Sequence, residues 1–186
     1  MLLLSWLLFS GLLAWNHARV RARRQARGVS GERPSIRDPR SMHGLVLEGL
    51  AFAVAFAFTR PLRESAPWQQ AGSMLSGAAA VVVLFLALRH LDLEWRIKAV
   101  VTEDHRLVTT GPYSVIRHPI FFSLFCLLLA TVLVLDPPWA AAASLAICVY
   151  GTEIRIRAED GLLLRRFGPR FESYRSRVAA YIPYLR

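Results

Sequence analysis

Only two cysteines occur among the 186 residues, and neither sits in a metal-type cluster. The chain is therefore neither a disulfide scaffold nor a zinc module. Cys126 and Cys148 both lie inside apolar runs, where a thiol acts as a small hydrophobe. No Gly-x-Gly-x-x-Gly follows a strand, and there is no P-loop and no nucleophile elbow. With no strand-rich segment either, a soluble Rossmann-type methyltransferase or dehydrogenase is excluded. No internal repeat is evident, and none of the common nucleic-acid recognition motifs appears. Negative charge is scarce: 13 Asp and Glu stand against 23 Lys and Arg, a net charge of +10.

What the chain has in abundance is apolar sequence, 54% of its residues, gathered in blocks. Five candidate spans are read: Met1–Trp15, Gly44–Thr59, Gly72–Leu88, Pro119–Leu135 and Trp139–Ile156. Each is shorter than the ~20 residues of a perpendicular crossing, and flanking Trp, His and Arg side chains extend the effective length by snorkelling. The pattern predicts a single all-α, polytopic membrane domain over residues 1–186. Twenty-one of the 23 basic residues fall in 17–42, 89–118 and 155–186, and only Arg60 and Arg63 lie elsewhere. If the spans alternate, that bias puts the N-terminus outside and the C-terminus in the cytoplasm. A basic face for anionic lipid headgroups then accounts for the charge without nucleic acid. The basic run after Met1–Trp15 follows the apolar segment, whereas a secretory signal carries its charge first; a retained span is expected.

Residues 17–42 are expected to form a basic loop of low order, and 89–118 the longest charged loop. Asp136-Pro137-Pro138 is a tight stop, since proline cannot continue a helix interior. It folds spans four and five into an antiparallel hairpin. The cytoplasmic ends of that hairpin then meet, bringing Arg117-His118-Pro119 beside Arg155–Asp160. Ionisable groups gathered at one membrane face are costly to hold there and usually functional. Gly111-Pro112-Tyr113 marks a turn ahead of the first leg. Pro119 suits the first turn of a helix, whose free N–H groups favour a carboxylate or phosphate. Arg155 and Glu159 share a helix face at i,i+4, while Asp160 points about 100° away. Glu48 and Glu153 are further acids within spans, either reaching water or lining a polar pocket. Beyond Asp160, Leu163, Phe167, Phe171, Tyr174 and Val178 recur as the apolar stripe of an amphipathic helix, interrupted at Gly168-Pro169.

Taken in order, these residues resemble the isoprenylcysteine carboxyl methyltransferase family in its short prokaryotic form. That family's core reads His-x-Leu-Val-Thr, Gly-Pro-Tyr, Arg-His-Pro-x-Tyr-x-Gly, a helical hairpin, Arg-Ile-x-x-Glu-Glu, then Phe-Gly-x-x-Tyr-x-x-Tyr and Ile-Pro. The matching residues here are His105–Thr109, Gly111–Tyr113, Arg117–Ser123, Arg155–Asp160, Phe167–Tyr174 and Ile182-Pro183. The likeness spans residues 105–183, the expected cofactor-binding core. Four positions depart from it: Phe121 and Phe171 replace Tyr, Ser123 replaces Gly, and Asp160 replaces Glu.

The resemblance implies S-adenosylmethionine as methyl donor, bound on the cytoplasmic face. By that analogy His105, Leu107, Gly111, Pro112, Tyr113, Arg117, His118, Pro119 and Glu159 would hold the cofactor. Arg155 would orient an acceptor carboxylate and Asp160 would support it. The implied acceptor is lipidic or amphipathic, an isoprenylcysteine-like carboxylate foremost. Such methyl transfer needs alignment in a dry site rather than a covalent intermediate, and arginine suits a carboxylate through paired hydrogen bonds. Three other classes stay open at this point: phospholipid amine methylation, an NADPH-dependent membrane reductase, and a non-catalytic membrane scaffold.

Overall fold

A computed structural model describes residues 1–26, 35–60, 65–91, 100–102 and 106–182. The chain is all-α in class. Its helices are α1 (Leu2–Ala26), α2 (Arg40–Ala57), α3 (Pro67–Leu91), α4 (Pro119–Leu135), α5 (Pro138–Phe167) and α6 (Pro169–Arg177). Two three-residue strands, β1 (Ser35–Arg37) and β2 (Val100–Thr102), pair antiparallel with Ile36 opposite Val101. A 3-10 turn covers Gly111–Ser114.

Proline sets where most of these helices begin. Pro138 and Pro169 sit just inside α5 and α6, and Pro119 opens α4 behind His118. At each, the missing N–H belongs to a position that has no intrahelical acceptor. Gln69 accepts from the Ala66 N–H at 2.8 Å, half of a capping box at the start of α3. Gly168 ends α5 at φ +51°, a conformation that L residues with a Cβ rarely adopt.

Three expected boundaries are corrected. Residues 17–26 continue α1 instead of opening a loop. Arginine and alanine are good helix formers, so the basic segment prolongs the apolar one. Residues 89–91 likewise complete α3. Beyond Asp160 no separate amphipathic helix begins: α5 runs on to Phe167, and only the nine residues of α6 form a helix of their own.

The apolar helices make this a membrane protein. Among the described residues, α2 and α3 are long and apolar enough to cross a bilayer, and α4 is a shorter apolar helix. Leu3, Leu7, Val46, Leu75 and Val82 are exposed large hydrophobics on α1, α2 and α3, as expected where lipid is the solvent.

Inside, α5 lies chiefly on α2 and α4 chiefly on α3, while the hairpin legs touch each other less. One core joins Phe9, Ala80, Leu84, Leu88 and Leu127 from α1, α3 and α4. A second joins Ala51, Ala55, Leu128, Val132 and Cys148 from α2, α4 and α5. Between apolar helices in lipid, close approach and interhelical hydrogen bonds matter more than burial from water. Both devices are present. A Cβ at Gly44 would collide with the Gly151 carbonyl and the Arg155 side chain, so this glycine lets α2 and α5 touch backbone to backbone. Ser73 donates to the Ala130 carbonyl at 2.7 Å, and the Trp6 indole donates to Thr131 at 3.1 Å.

Candidate active site

The hairpin gathers the two polar clusters as expected. Asp160 accepts from Arg117 Nη2 at 3.1 Å and lies 2.9 Å from His118 Nε2, across 43 and 42 residues of sequence. Glu159 Oε2 stands 3.4 Å from His118 Nδ1. Each ring nitrogen of His118 thus faces a carboxylate. Burial opposes charge on this imidazole, but the hydrogen bonds to Asp160 and Glu159 outweigh it and push its pKa up to about 9. His118 is therefore a cation at neutral pH, enclosed by the two acids. Of those acids Glu159 is the more accessible, its side chain 27% exposed against 10% for Asp160.

The segment after α6 closes this cluster from a third side. Ala179 and Ala180 carbonyls accept from the Arg117 and His118 backbone N–H groups, both at 2.8 Å. Arg117 Nη1 also donates to the Arg175 and Val178 carbonyls, and Tyr174 donates its hydroxyl to the Tyr113 carbonyl at 2.5 Å. Phe121, Ile156, Ala180 and Tyr181 form the apolar floor beneath. The N–H groups of Arg117 and His118, just ahead of α4, are thus taken by the chain itself.

Gly111 begins the 3-10 turn at φ +61°, and the His90 ring occupies the space where its Cβ would be. The turn places Tyr113 in the interior, where burial, with the charge of Glu159 second, keeps its phenol protonated above the ordinary range. Pro119 is buried, while Leu107 and Pro112 are half-buried. His105 lies outside the described residues.

Arg155 has a different setting from the one expected. Its Nη1 lies 2.5 Å from Glu48 Oε2 on α2, and Thr152 donates to the other Glu48 oxygen at 3.1 Å. Arg155 Nη2 reaches Glu159 only at 4.0 Å. The guanidinium lies 4.5 Å from the centre of the Phe121 ring, where a delocalised cation is favoured. Asp160 is engaged with Arg117 and His118 instead of supporting Arg155. Glu48 is thus a lining acid of the polar cluster, and Glu153 is paired with Arg157 at 2.8 Å along its own helix.

The four departures from the family pattern are accommodated. Phe121 stacks under both Arg155 and His118, a role that needs a ring and not a hydroxyl. Ser123 satisfies its hydroxyl on the Ile120 carbonyl at 2.7 Å. Phe171 is fully buried beside Tyr174. The shorter Asp160 still reaches both of its cations. Sequence reasoning missed His90 and the clamp by 179–180, and it left Glu48 without a partner. Among the described residues no group of three His, Cys, Asp or Glu could hold a metal ion.

The sequence model of the isoprenylcysteine carboxyl methyltransferase family matches residues 74–165, from α3 to the end of α5. The nickel-cobalt-cadmium resistance protein NccN of Alcaligenes xylosoxydans xylosoxydans is 39% identical over 80 residues, covering 42% of this chain and 37% of that protein. Protein-S-isoprenylcysteine O-methyltransferase of Saccharomyces cerevisiae is 30% identical over 89 residues, covering 48% and 37%. The protein of the same name from Tribolium castaneum is 33% identical over 85 residues, covering 45% and 30%. The chain thus matches about a third of the length of each of these relatives.

Proposed function

Because the chain belongs to the isoprenylcysteine carboxyl methyltransferase family, we propose that it is a membrane-embedded methyltransferase using S-adenosylmethionine. Its acceptor is lipidic or amphipathic, with an isoprenylcysteine-like carboxylate the foremost choice. One observation carries this reading: Glu159 is a partly exposed acid held 3.4 Å from the buried ring of His118.

The residues present fit the proposed donor. An ammonium group or a ribose diol needs a carboxylate that is accessible yet fixed in place, and Glu159 offers that combination. His118, Arg117 and Asp160 would hold Glu159 and the tail in register. Gly111 and Tyr113 would form the adjoining wall, together with Leu107, Pro112 and Pro119. When bound, S-adenosylmethionine supplies a methyl carbon already activated by its sulfonium. The chain then needs neither a nucleophilic side chain nor a general acid. Arg155, held on Glu48, would orient the acceptor carboxylate, and the floor of Phe121, Ile156 and Tyr181 would keep water away.

In this reading the helices cross the membrane five times with the C-terminus in the cytoplasm. The basic end of α1 and the arginines of 155–177 lie at the inner headgroups, as the charge bias favours. Membrane lipids and the acceptor are its partners, and nucleic acid is not. Calorimetry of the detergent-purified protein with S-adenosylhomocysteine, S-adenosylmethionine and NADPH tests the proposal. Micromolar binding of the adenosyl compounds is expected, whereas binding of NADPH alone would overturn it in favour of the reductase. Arg155→Ala should spare S-adenosylhomocysteine binding and abolish turnover of a carboxylate acceptor. Turnover of a phospholipid amine that survives this change would move the acceptor to the amine class.

A further inference from the structure

We propose that Glu48, on a helix outside the family-matched segment, is the positioning residue that sets how Arg155 meets the acceptor. The inference rests on the methyltransferase reading and deepens it.

The geometry around this acid is specific. α2 contributes Glu48, and α5 contributes Thr152 and Arg155 one turn apart. Gly44 and Gly151 remove the side chains that would hold the two helices apart at this level. Glu48 is 2% and Arg155 7% exposed. A buried ion pair is a poor stabiliser compared with apolar packing of the same volume. Helix contact alone would therefore be served as well by two aliphatic residues. What the pair does supply is orientation. Glu48 holds one end of the guanidinium, its Cζ lies 4.5 Å from the centre of the Phe121 ring, and Nη2 lies 4.0 Å from the accessible Glu159.

Charge gives the second part of the role. An uncompensated guanidinium in a low-dielectric site would bind an acceptor carboxylate strongly in the ground state, and uniform ground-state binding does not speed the chemical step. It would also draw electron density from the oxygen that must attack. With Glu48 as its counter-ion, Arg155 orients an incoming carboxylate without trapping it. Glu48 thus lowers acceptor affinity and raises turnover.

The test compares Glu48→Gln with the wild type. Glutamine keeps an oxygen for Arg155 and removes the charge. The probes are a prenylated N-acetylcysteine as substrate and a prenylthioether carboxylate without a reactive partner, bound in the presence of S-adenosylhomocysteine. Binding of the inert carboxylate should tighten about tenfold in the variant, with KM and kcat both falling by a similar factor. S-adenosylhomocysteine affinity should stay the same. A purely structural pair would lower thermal stability and leave carboxylate affinity, KM and kcat unmoved; that result overturns the proposal. So does failure of the carboxylate to bind either protein while S-adenosylhomocysteine binds both. Absence of adenosyl binding in the wild type would instead strike the methyltransferase reading itself. If Glu48→Gln does not fold, Glu48→Asp keeps the charge and draws it back from Arg155 by one methylene. Carboxylate affinity should then rise and kcat fall by about threefold, and unmoved values would overturn the assignment.

Discussion

Replacing Asp160 with asparagine should loosen the polar cluster and reduce its pH dependence. The amide keeps the shape of the side chain but not its charge, leaving His118 with Glu159 alone against the cost of burial. In the wild type the His118 pKa rises from 6.5 to about 9. At about 1.4 kcal/mol for each tenfold change in proton affinity, that rise corresponds to about 3 kcal/mol in favour of the charged, folded site. Asp160 shares the work with Glu159, so its portion is about 1–2 kcal/mol. Since the folded pKa lies above the unfolded one, this stability is complete below pH 6.5 and is lost as pH rises through about 9. The wild-type protein should therefore show a falling unfolding midpoint between those values in detergent. Asp160→Asn should show a lower midpoint at pH 6 and a flatter profile above it. Side-chain NMR of labelled histidine should find His118 of the variant titrating well below 9. If the variant keeps both the steep profile and the high titration, Asp160 is not what holds the imidazole charged, and the cluster has been misread.

Four further expectations concern single contacts. Tyr174→Phe removes the hydrogen bond to the Tyr113 carbonyl and should cost about 1 kcal/mol in thermal unfolding, with faster amide exchange at Arg117 and His118, whose N–H groups donate to the tail. Gly111→Ala meets both a positive φ and the His90 ring; S-adenosylhomocysteine binding should fall by about tenfold or more while α-helical circular dichroism is kept. Gly44→Val should separate α2 from α5 at Gly151 and destabilise by about 2–3 kcal/mol, read from the unfolding midpoint. Phe121→Leu takes the ring from beneath Arg155 and His118 and should cost about 1 kcal/mol of stability, whereas Phe121→Tyr should not.

Which parts of this molecule were legible from the sequence depends on how each is encoded. The meeting of His118 with Asp160 was legible because one local signal fixes it: Asp136-Pro137-Pro138 stops α4 and starts α5, and hairpin symmetry does the rest. The basic end of α1 was not, because hydrophobic periodicity is silent where a helix carries arginine on several faces, although the propensities of arginine and alanine favour the continuation found through Ala26. The tail clamp was hidden for another reason. Ala179 and Ala180 act through backbone carbonyls, and a carbonyl leaves no trace in residue identity. Glu48 is the most instructive case. A lone acid in an apolar run announces that a partner must exist, since an unpaired charge there is too costly, but it does not say which of the available cations. Arg155 lies 107 residues away and had a nearer suitor at i,i+4 in Glu159. The glycines decide between them. Gly44 and Gly151 bring α2 within reach of Arg155, so Glu48 takes the close contact and Glu159 is left at 4.0 Å, partly exposed beside His118. The accessibility of Glu159, on which donor binding would depend, is therefore a consequence of two small residues at the opposite helix contact.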